Sequence, residues 1–304
     1  MLNVNRLRVL REVAARGSFS AAAQSLSYTQ SAVSQQIATL EAETGTLLVE
    51  RRPRGLRLTT AGQALVEHAD AIMARLESAE AELASIAGVG GGRLRMASFP
   101  TAGATLMPLA VAEFSARHPG VELTLAEGEP EEIAPRLRAG EFDLALLFRF
   151  PGVGATFDGL HTTDLLEDPL YLALPREHRL ANRRTLRLAD LAGEAWVQTS
   201  AESPCARHVV RSCHAAGFEP RVSFESDDYL TVQGLVAAGV GVALIPRLAL
   251  SGVRDDIAVR ELSPSSPVRH VLAATARGAR VPAAAAMLEI MRGAAAAYIG
   301  EPLD

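Results

Sequence analysis

Four uncharged side chains that can both donate and accept hydrogen bonds cluster early in the chain. They are Gln30, Ser31, Ser34 and Gln35, within the run FSAAAQSLSYTQSAVSQQIATL at 19–40. Base edges in a DNA major groove present mixed donor–acceptor patterns of the kind such groups can read. On an isolated solvated helix they would do nothing, so the elements that hold them decide. Val33, Ile37 and Leu40 recur at i, i+4 and i+7, an apolar stripe that leaves the four polar residues on the other faces of a helix over 29–43. Thr29 is placed to cap its start. Upstream, Ala21, Ala22, Ala23 and Leu26 give a shorter helix a small-residue face, and Ser27-Tyr28-Thr29 supplies the turn. Two short helices about a tight polar turn read as a helix-turn-helix with the second helix in the groove.

The flanks support this reading. Val4, Leu7, Leu10 and Val13 predict a first amphipathic helix, ended by Gly17-Ser18, that completes a three-helix core. Gly45 stops the recognition helix, and Leu47-Leu48-Val49 tucks apolar weight beneath it. Arg51, Arg52, Arg54 and Arg57 then surround a Pro and a Gly between two short extended pieces, a β-wing aiming arginines at the backbone or minor groove. Thr60, with Gln63 three residues on, predicts the cap of a long helix over 60–87. Along it Leu65, Ala69, Ile72, Leu76, Ala79, Leu83 and Ile86 alternate spacings of four and three. A straight helix drifts off that period, so the seam predicts pairing with the same helix of a second copy. The glycine-rich stretch 88–92 is a joint between domains.

Beyond the joint, apolar extended runs alternate with helical ones. Strands over 93–98, 121–127 and 142–148 with helices over 105–118 and 131–139 predict a parallel β-α-β-α-β sheet, with ligands outside the carboxyl ends of its strands. A second set has strands at 169–174, 196–199, 222–224 and 242–245 and helices at 204–216 and 229–238. A strand at 268–274 and a helix at 281–298 close the chain. Two such lobes crossed twice by the chain make a hinged cleft, with lobe I at about 93–163 and 268–304 and lobe II at about 164–267. The candidate ligand residues lie at strand ends: Ser98, Phe99, Pro100, Thr101, Phe148 and Arg149 in the first lobe, Thr199, Ser200, Phe224 and Glu225 in the second. Gly241 permits close backbone approach near the hinge. Arg149, with a planar fork suited to a carboxylate, points to a small organic acid or amino acid as effector.

Totals and charge set further bounds. Among 304 residues the net charge is −5, yet residues 1–60 hold eight arginines against four acids, +4, leaving −9 on the rest. A basic end on an acidic body suits one end meeting phosphates. No apolar run approaches the ~20 residues of a membrane span. An arginine-studded N-terminus with no apolar core or small-residue cleavage site argues against export, and two cysteines give no disulfide framework, so the cytoplasm is expected. No nucleophile elbow, zinc helix, phosphate loop or CxxC is present, and the seven histidines lack ligand spacing, which argues against an enzyme or a metal site. A transport-type solute-binding protein would share the α/β body but has no use for a wing or heptad helix.

These motifs together resemble the LysR-type transcriptional regulators over almost the whole chain. The specific match is GSFSAAAQSLSYTQSAVSQQIATLEAETG followed by ERRPRGLRLTTAGQAL; HPGVELTLAEGEPEEI, LRAGEFDLAL and GLVAAGVGVALIP are weaker. The resemblance implies a winged helix-turn-helix (1–59), a dimerisation helix and a two-lobed effector domain (93–304) like periplasmic solute-binding proteins. It implies promoter DNA as partner, a tetramer built from dimers, RNA polymerase as a further contact, and a small-molecule effector without a metal or other cofactor. On that match Gln30, Ser31, Ser34 and Gln35 read bases, Ser20 and Thr29 donate to phosphates from helix starts, and Arg51, Arg52 and Arg54 form the wing. Val49 departs from the family's usual Phe beneath the wing. One branch of the family senses peroxide through two cysteines in lobe II, which makes Cys205 and Cys213 a redox alternative. Eight residues apart in one helix they stand ~12 Å apart along it, beyond the ~7 Å between Cα atoms that a disulfide spans.

Overall fold

The computed structural model describes residues 2–52, 55–86, 92–152, 157–264, 266–279 and 281–300. Arg54, the 88–91 part of the glycine joint and the side chains of Arg51, Arg52 and Ile86 lie outside what it describes.

Three helices begin the chain, α1 (Val4–Arg16), α2 (Phe19–Leu26) and α3 (Gln30–Thr44). Each start is capped by a side-chain oxygen: Asn3 accepts from the Asn5 N–H, Ser18 from that of Ala21 and Thr29 from that of Ala32. Leu7, Leu10, Val13, Ala22, Ala23, Val33, Ile37 and Leu40 close one core, with the alanines allowing close helix approach. Strands β1 (Val49–Arg52) and β2 (Gly55–Leu58) pair antiparallel as the wing. Glu41 ties the wing to α3 by accepting from the Leu48 and Val49 N–H groups at 2.8 and 3.2 Å.

Helix α4 (Thr60–Ile86) starts one residue differently from the sequence expectation. Thr59, not Thr60, is the cap: its hydroxyl accepts from the Gly62 N–H at 3.0 Å and donates to the Leu47 carbonyl at 2.7 Å. The heptad seam divides in use. Leu65 and the fully buried Ala69 pack into the N-terminal core, whereas Ile72, Leu76, Ala79 and Leu83 are exposed. Off the seam, Ala74 packs near Gly140 and Arg75 donates to the Gly278 carbonyl at 3.1 Å, so the helix also leans on the C-terminal domain.

That domain opens with β3 (Arg93–Ser98), α5 (Pro100–Ala104), α6 (Leu106–Arg117), β4 (Glu122–Glu127), α7 (Pro130–Arg138) and β5 (Leu144–Arg149). β3, β4 and β5 are parallel, as β-α-β crossings require. β6 (Leu160–Pro175) is longer than expected and runs through both lobes. Next come β7 (Thr185–Leu186), β8 (Ala195–Gln198), α8 (Pro204–Ala215), β9 (Arg221–Glu225), α9 (Tyr229–Ala237), β10 (Ala243–Pro246), β11 (Ile257–Leu262), β12 (Val268–Ala276) and α10 (Pro282–Gly300). The main sheet runs β4-β3-β5-β12-β6-β11-β7, with β10 also on β6, while β8 and β9 pair in parallel. β12 is antiparallel to both β5 and β6. Among the described residues, no helix is long and apolar enough to cross a membrane.

Gly62 sits where a Cβ would stand 2.0 Å from the Leu48 carbonyl oxygen, so backbone must give way. Gly62→Ala is expected to destabilise the N-terminal domain by about 3 kcal/mol. Gly293→Ala, in α10 with open space around it, is expected to stabilise by about 0.5–1 kcal/mol. Thermal unfolding of the two variants should therefore move in opposite directions.

Candidate functional site: a polar helix face and an inter-lobe cleft

On the N-terminal module, the α3 stripe Val33, Ile37 and Leu40 is buried and turns Gln30, Ser31 and Gln35 to solvent. Ser34 is half-buried and Ser20 is exposed in the first turn of α2. Thr29 serves the helix backbone, and its hydroxyl lies 3.0 Å from that of Ser31. Arg6 donates to Gln36 at 3.2 Å and pairs with Glu43, fixing α1 across α3 behind the polar face. Neutral groups thus stand out from a helix braced on both sides, beside the backbone of an arginine-bearing hairpin.

The cleft is built by the two-residue period of strands. In β5, Leu144, Leu146 and Phe148 face α6 and α10, whereas Ala145 and Leu147 face α7. In β12, Val271 and Ala273 share the first face, and Arg269 falls in step with them. Arg269 is 1% exposed. Its Nε lies 2.8 Å from Asp168 Oδ2, one Nη lies 2.5 Å from Thr101 Oγ1, and the other lies 4.0 Å from Cys205 Sγ. The guanidinium carbon sits 4.9 and 4.8 Å from the ring centroids of Phe99 and Phe148. Burial pushes the Asp168 carboxyl up, while Arg269 and the backbone N–H groups of Leu248 and Arg247 pull it back toward the carboxylate. Desolvation disfavours the charged Arg269, and Asp168 reverses this, so the proton stays on the guanidinium.

Glu129, Thr199, Ser203, Asp227 and Tyr229 complete the cleft wall around Arg269. Phe99–Thr101 follows β3, Glu129 follows β4, Thr199 follows β8 and Asp227 follows β9, so all four segments leave carboxyl ends of parallel strands. The lobes leave about 20 Å³ here, room for about one water molecule. Three contacts of α8 hold them together: Arg207 to Glu131 at 2.8 Å, His208 stacked on Phe150 at 4.1 Å, and Arg211 to the Gly152 carbonyl at 2.8 Å. Desolvation drops the His208 pKa to about 4, with Arg211 adding to it, so the ring that stacks is neutral. Burial raises Glu129 to about 7, opposed by Arg269 and assisted by Glu131, Asp227 and Glu132.

Comparison with known proteins now bears on both sites. Residues 4–63 match the model of the bacterial regulatory helix-turn-helix protein, lysR family, and residues 87–296 match the LysR substrate binding domain. The chain belongs to the LysR family. It is a DNA-binding transcriptional regulator with an effector-binding domain, and not an enzyme. Among curated relatives, it is 32% identical to the probable HTH-type transcriptional regulator LrrA of Synechococcus elongatus, over 96% of this chain and 97% of that one. It is also 32% identical to the transcriptional dual regulator GltC of Bacillus subtilis, over 81% of each. The crystal structure of full-length CbnR complexed with its target DNA shares the fold at a TM-score of 0.71 and 24% identity, covering 96% of this chain and 100% of that one.

Within this LysR-family chain the candidate effector residues separate. Phe99, Pro100, Thr101, Phe148 and Thr199 line the cleft. Ser98 is buried beneath it, its hydroxyl donating to the Phe99 carbonyl, and Ser200 holds Asp227 through its N–H and hydroxyl, both at 2.9 Å. Arg149 is a correction. One residue past Phe148, it turns to the opposite face, half-exposed and paired with Asp164 at 3.2 Å; Arg269 is the cleft's cation instead. Phe224, 47% exposed, and Glu225, exposed and accepting from the Ala201 N–H at 3.3 Å, do not line the cleft. Gly241 does make a close approach, but to the Ala195 backbone, where a Cβ would stand 2.7 Å from the carbonyl oxygen. The residues that sequence reasoning missed, Glu129, Ser203, Asp227, Tyr229 and Arg269, had one signal among them: an arginine inside the apolar run of β12.

Both thiols of α8 are free and buried. Burial pushes Cys213 to about 12, and it raises Cys205 too, although the neighbouring Arg269 opposes the shift. Neither holds much reactive thiolate near neutrality.

Two outcomes test this geometry. Arg269→Met leaves Asp168 buried without its partner and is expected to cost about 3–5 kcal/mol in urea unfolding, much of it recovered by adding Asp168→Leu. Glu129 binds its proton more tightly folded (about 7) than at its ordinary 4.5. Its contribution to stability is therefore complete below pH 4.5 and lost as pH rises through about 7. Glu129→Gln should lack that decline, so the difference in melting temperature between wild type and variant should change between pH 4.5 and about 7.

Proposed function

We propose that this LysR-family regulator reads promoter DNA as a dimer and that a small organic effector, bound around Arg269, sets how it does so. The observation that carries the effector half is the buried Arg269, ringed by polar groups from strand ends of both lobes, where a ligand touches both lobes at once. A ligand that contacts two lobes shifts their relative position by its differential affinity for the open and closed forms. Of the two effector classes expected, a simple carboxylate meets only Arg269, already held by Asp168 and Thr101, whereas an amino acid also offers an ammonium to Glu129 and Asp227. The redox alternative through Cys205 and Cys213 is disfavoured by the raised thiol pKa values.

For DNA, Gln30, Ser31, Ser34 and Gln35 are the base-reading residues, Ser20 and Thr29 the phosphate contacts at helix starts, and Arg51, Arg52 and Arg54 the wing contacts. The exposed seam residues Ile72, Leu76, Ala79 and Leu83 form the pairing face of α4; Leu65 and Ala69 instead hold α4 to its own domain. Two copies place two recognition helices on two half-sites, and two such dimers make the tetramer. The cytoplasm is the compartment this reading requires, with RNA polymerase as the downstream contact.

Binding of the full chain to duplex DNA selected from a random-sequence pool separates the roles. Arg52→Ala should weaken all sequences alike and flatten the salt dependence by about one phosphate contact. Gln35→Ala should relax discrimination at one base pair by about 1–3 kcal/mol with non-specific affinity unchanged. An Arg52→Ala variant with altered sequence preference would overturn the wing assignment. Leu76→Glu should shift the sedimentation profile toward the monomer; an unchanged profile would remove α4 as the pairing face.

A further inference from the structure

We propose that the ligand of the inter-lobe cleft carries an ammonium group, bound among Glu129, Asp227 and the side-chain carbonyl of Gln198. The inference rests on the reading of this cleft as the effector site and adds the chemical class of the ligand.

The first observation is a shortage of donors. Arg269 spends its Nε on Asp168 and one Nη on Thr101, and turns the other Nη to the Cys205 thiol at 4.0 Å. Arg207 is spent on Glu131. Glu129 and Asp227 have no ion-pair partner among the described residues, and the Asp227 carboxylate is pinned by Ser200 from one side. Thr199 and Ser203 hydrogen-bond each other at 2.5 Å. The charge left facing the cleft is negative.

The second observation is independent of charge. Gln198 is only 8% exposed, and its Oε1 has no hydrogen-bond partner among the described residues. It lines a small space of about 10 Å³ that shares Thr199, Cys205 and Tyr229 with the cleft around Arg269. A buried acceptor without a donor costs free energy that a donor-bearing ligand recovers. An ammonium offers three donors and no acceptor, the complement of this wall. A carboxylate placed there would instead face two acids and force a proton onto one of them.

Geometry adds a mechanism. Glu129 follows β4 in the first lobe, whereas Gln198 and Asp227 belong to the second. An ammonium is about the size of the water that the gap admits, but the rest of any ligand requires the lobes to part. Bound between Glu129 and the second lobe, the cation would set a new angle between them. The raised Glu129, at about 7, makes this pH-dependent. Binding a cation favours the ionised carboxyl, so affinity falls as pH drops below about 7, by up to about tenfold per unit.

The test is calorimetry and thermal shift on the full chain with putrescine, ethanolamine and lysine, against acetate, succinate and benzoate as amine-free acids, at millimolar concentration. Amines are expected to bind, more weakly at pH about 6 than at about 8. Glu129→Gln is expected to lose about tenfold or more in amine affinity and the pH dependence with it. Asp227→Asn, whose side chain is exposed and tolerates replacement, is expected to weaken amines without the pH effect. No response to any amine, or unchanged amine affinity in Glu129→Gln, overturns the proposal, as does binding of the acids in preference. Hydrogen exchange locates whichever probe binds. Protection of 98–105, 129–133 and 198–206 by an amine-free acid ends the ammonium class alone, while protection only elsewhere ends the cleft reading itself.

Discussion

The ion pair between Arg269 and Asp168 is the constraint on which the C-terminal domain turns. Both side chains are almost wholly withdrawn from solvent, at 1% and 0% exposed. Two isolated charges at this depth would be prohibitive, and each is tolerable only because the other, with further donors and acceptors, is fixed in place. Asp168 lies in β6 and Arg269 in β12, directly paired strands. Thr101 joins from the turn after β3 and the Leu248 N–H from the segment after β10. One polar centre thus sets the register of two strands, orients the two phenylalanine rings that stack on it and positions the floor of the cleft.

The N-terminal module needs no such device. Its specificity comes from local chemistry repeated along a short stretch: a capping oxygen at each helix start, an apolar residue every three or four, and alanines where two helices cross. Such features depend on neighbours within a few positions, which is why the helices, turn and wing were all legible in the sequence. The shift of the α4 cap from Thr60 to Thr59 shows the limit. Two threonines in a row are equivalent locally, and the choice is made by the Leu47 and Leu48 carbonyls, which bind Thr59 from across the wing.

The cleft was legible in outline and not in detail. Alternating runs gave the strand ends at which a ligand site belongs, and five of the expected residues are there. Which side of a strand faces inward depends on register, and a single step exchanges Phe148 for Arg149. The partners of Arg269 lie 101 and 168 positions away in sequence, a separation that no local pattern encodes. The first half of β6, LHTTDLLE, lacks the apolar run of its second half because one side of it is open to solvent, so only the buried half could be read as a strand.

Helix α4 is gripped at two places by its own chain. Leu65 and Ala69 are locked into the DNA-binding module, and Ala74 and Arg75 rest on the first lobe of the effector domain. Between its start and Ala74 the helix is a rigid arm of about 21 Å. Tilting that arm by about 10° carries its far end through about 3.6 Å, which is about one step along a DNA strand. The helix therefore links the two domains through one stiff element, so that a small tilt at its C-terminal grip is a displacement of several ångströms at its start.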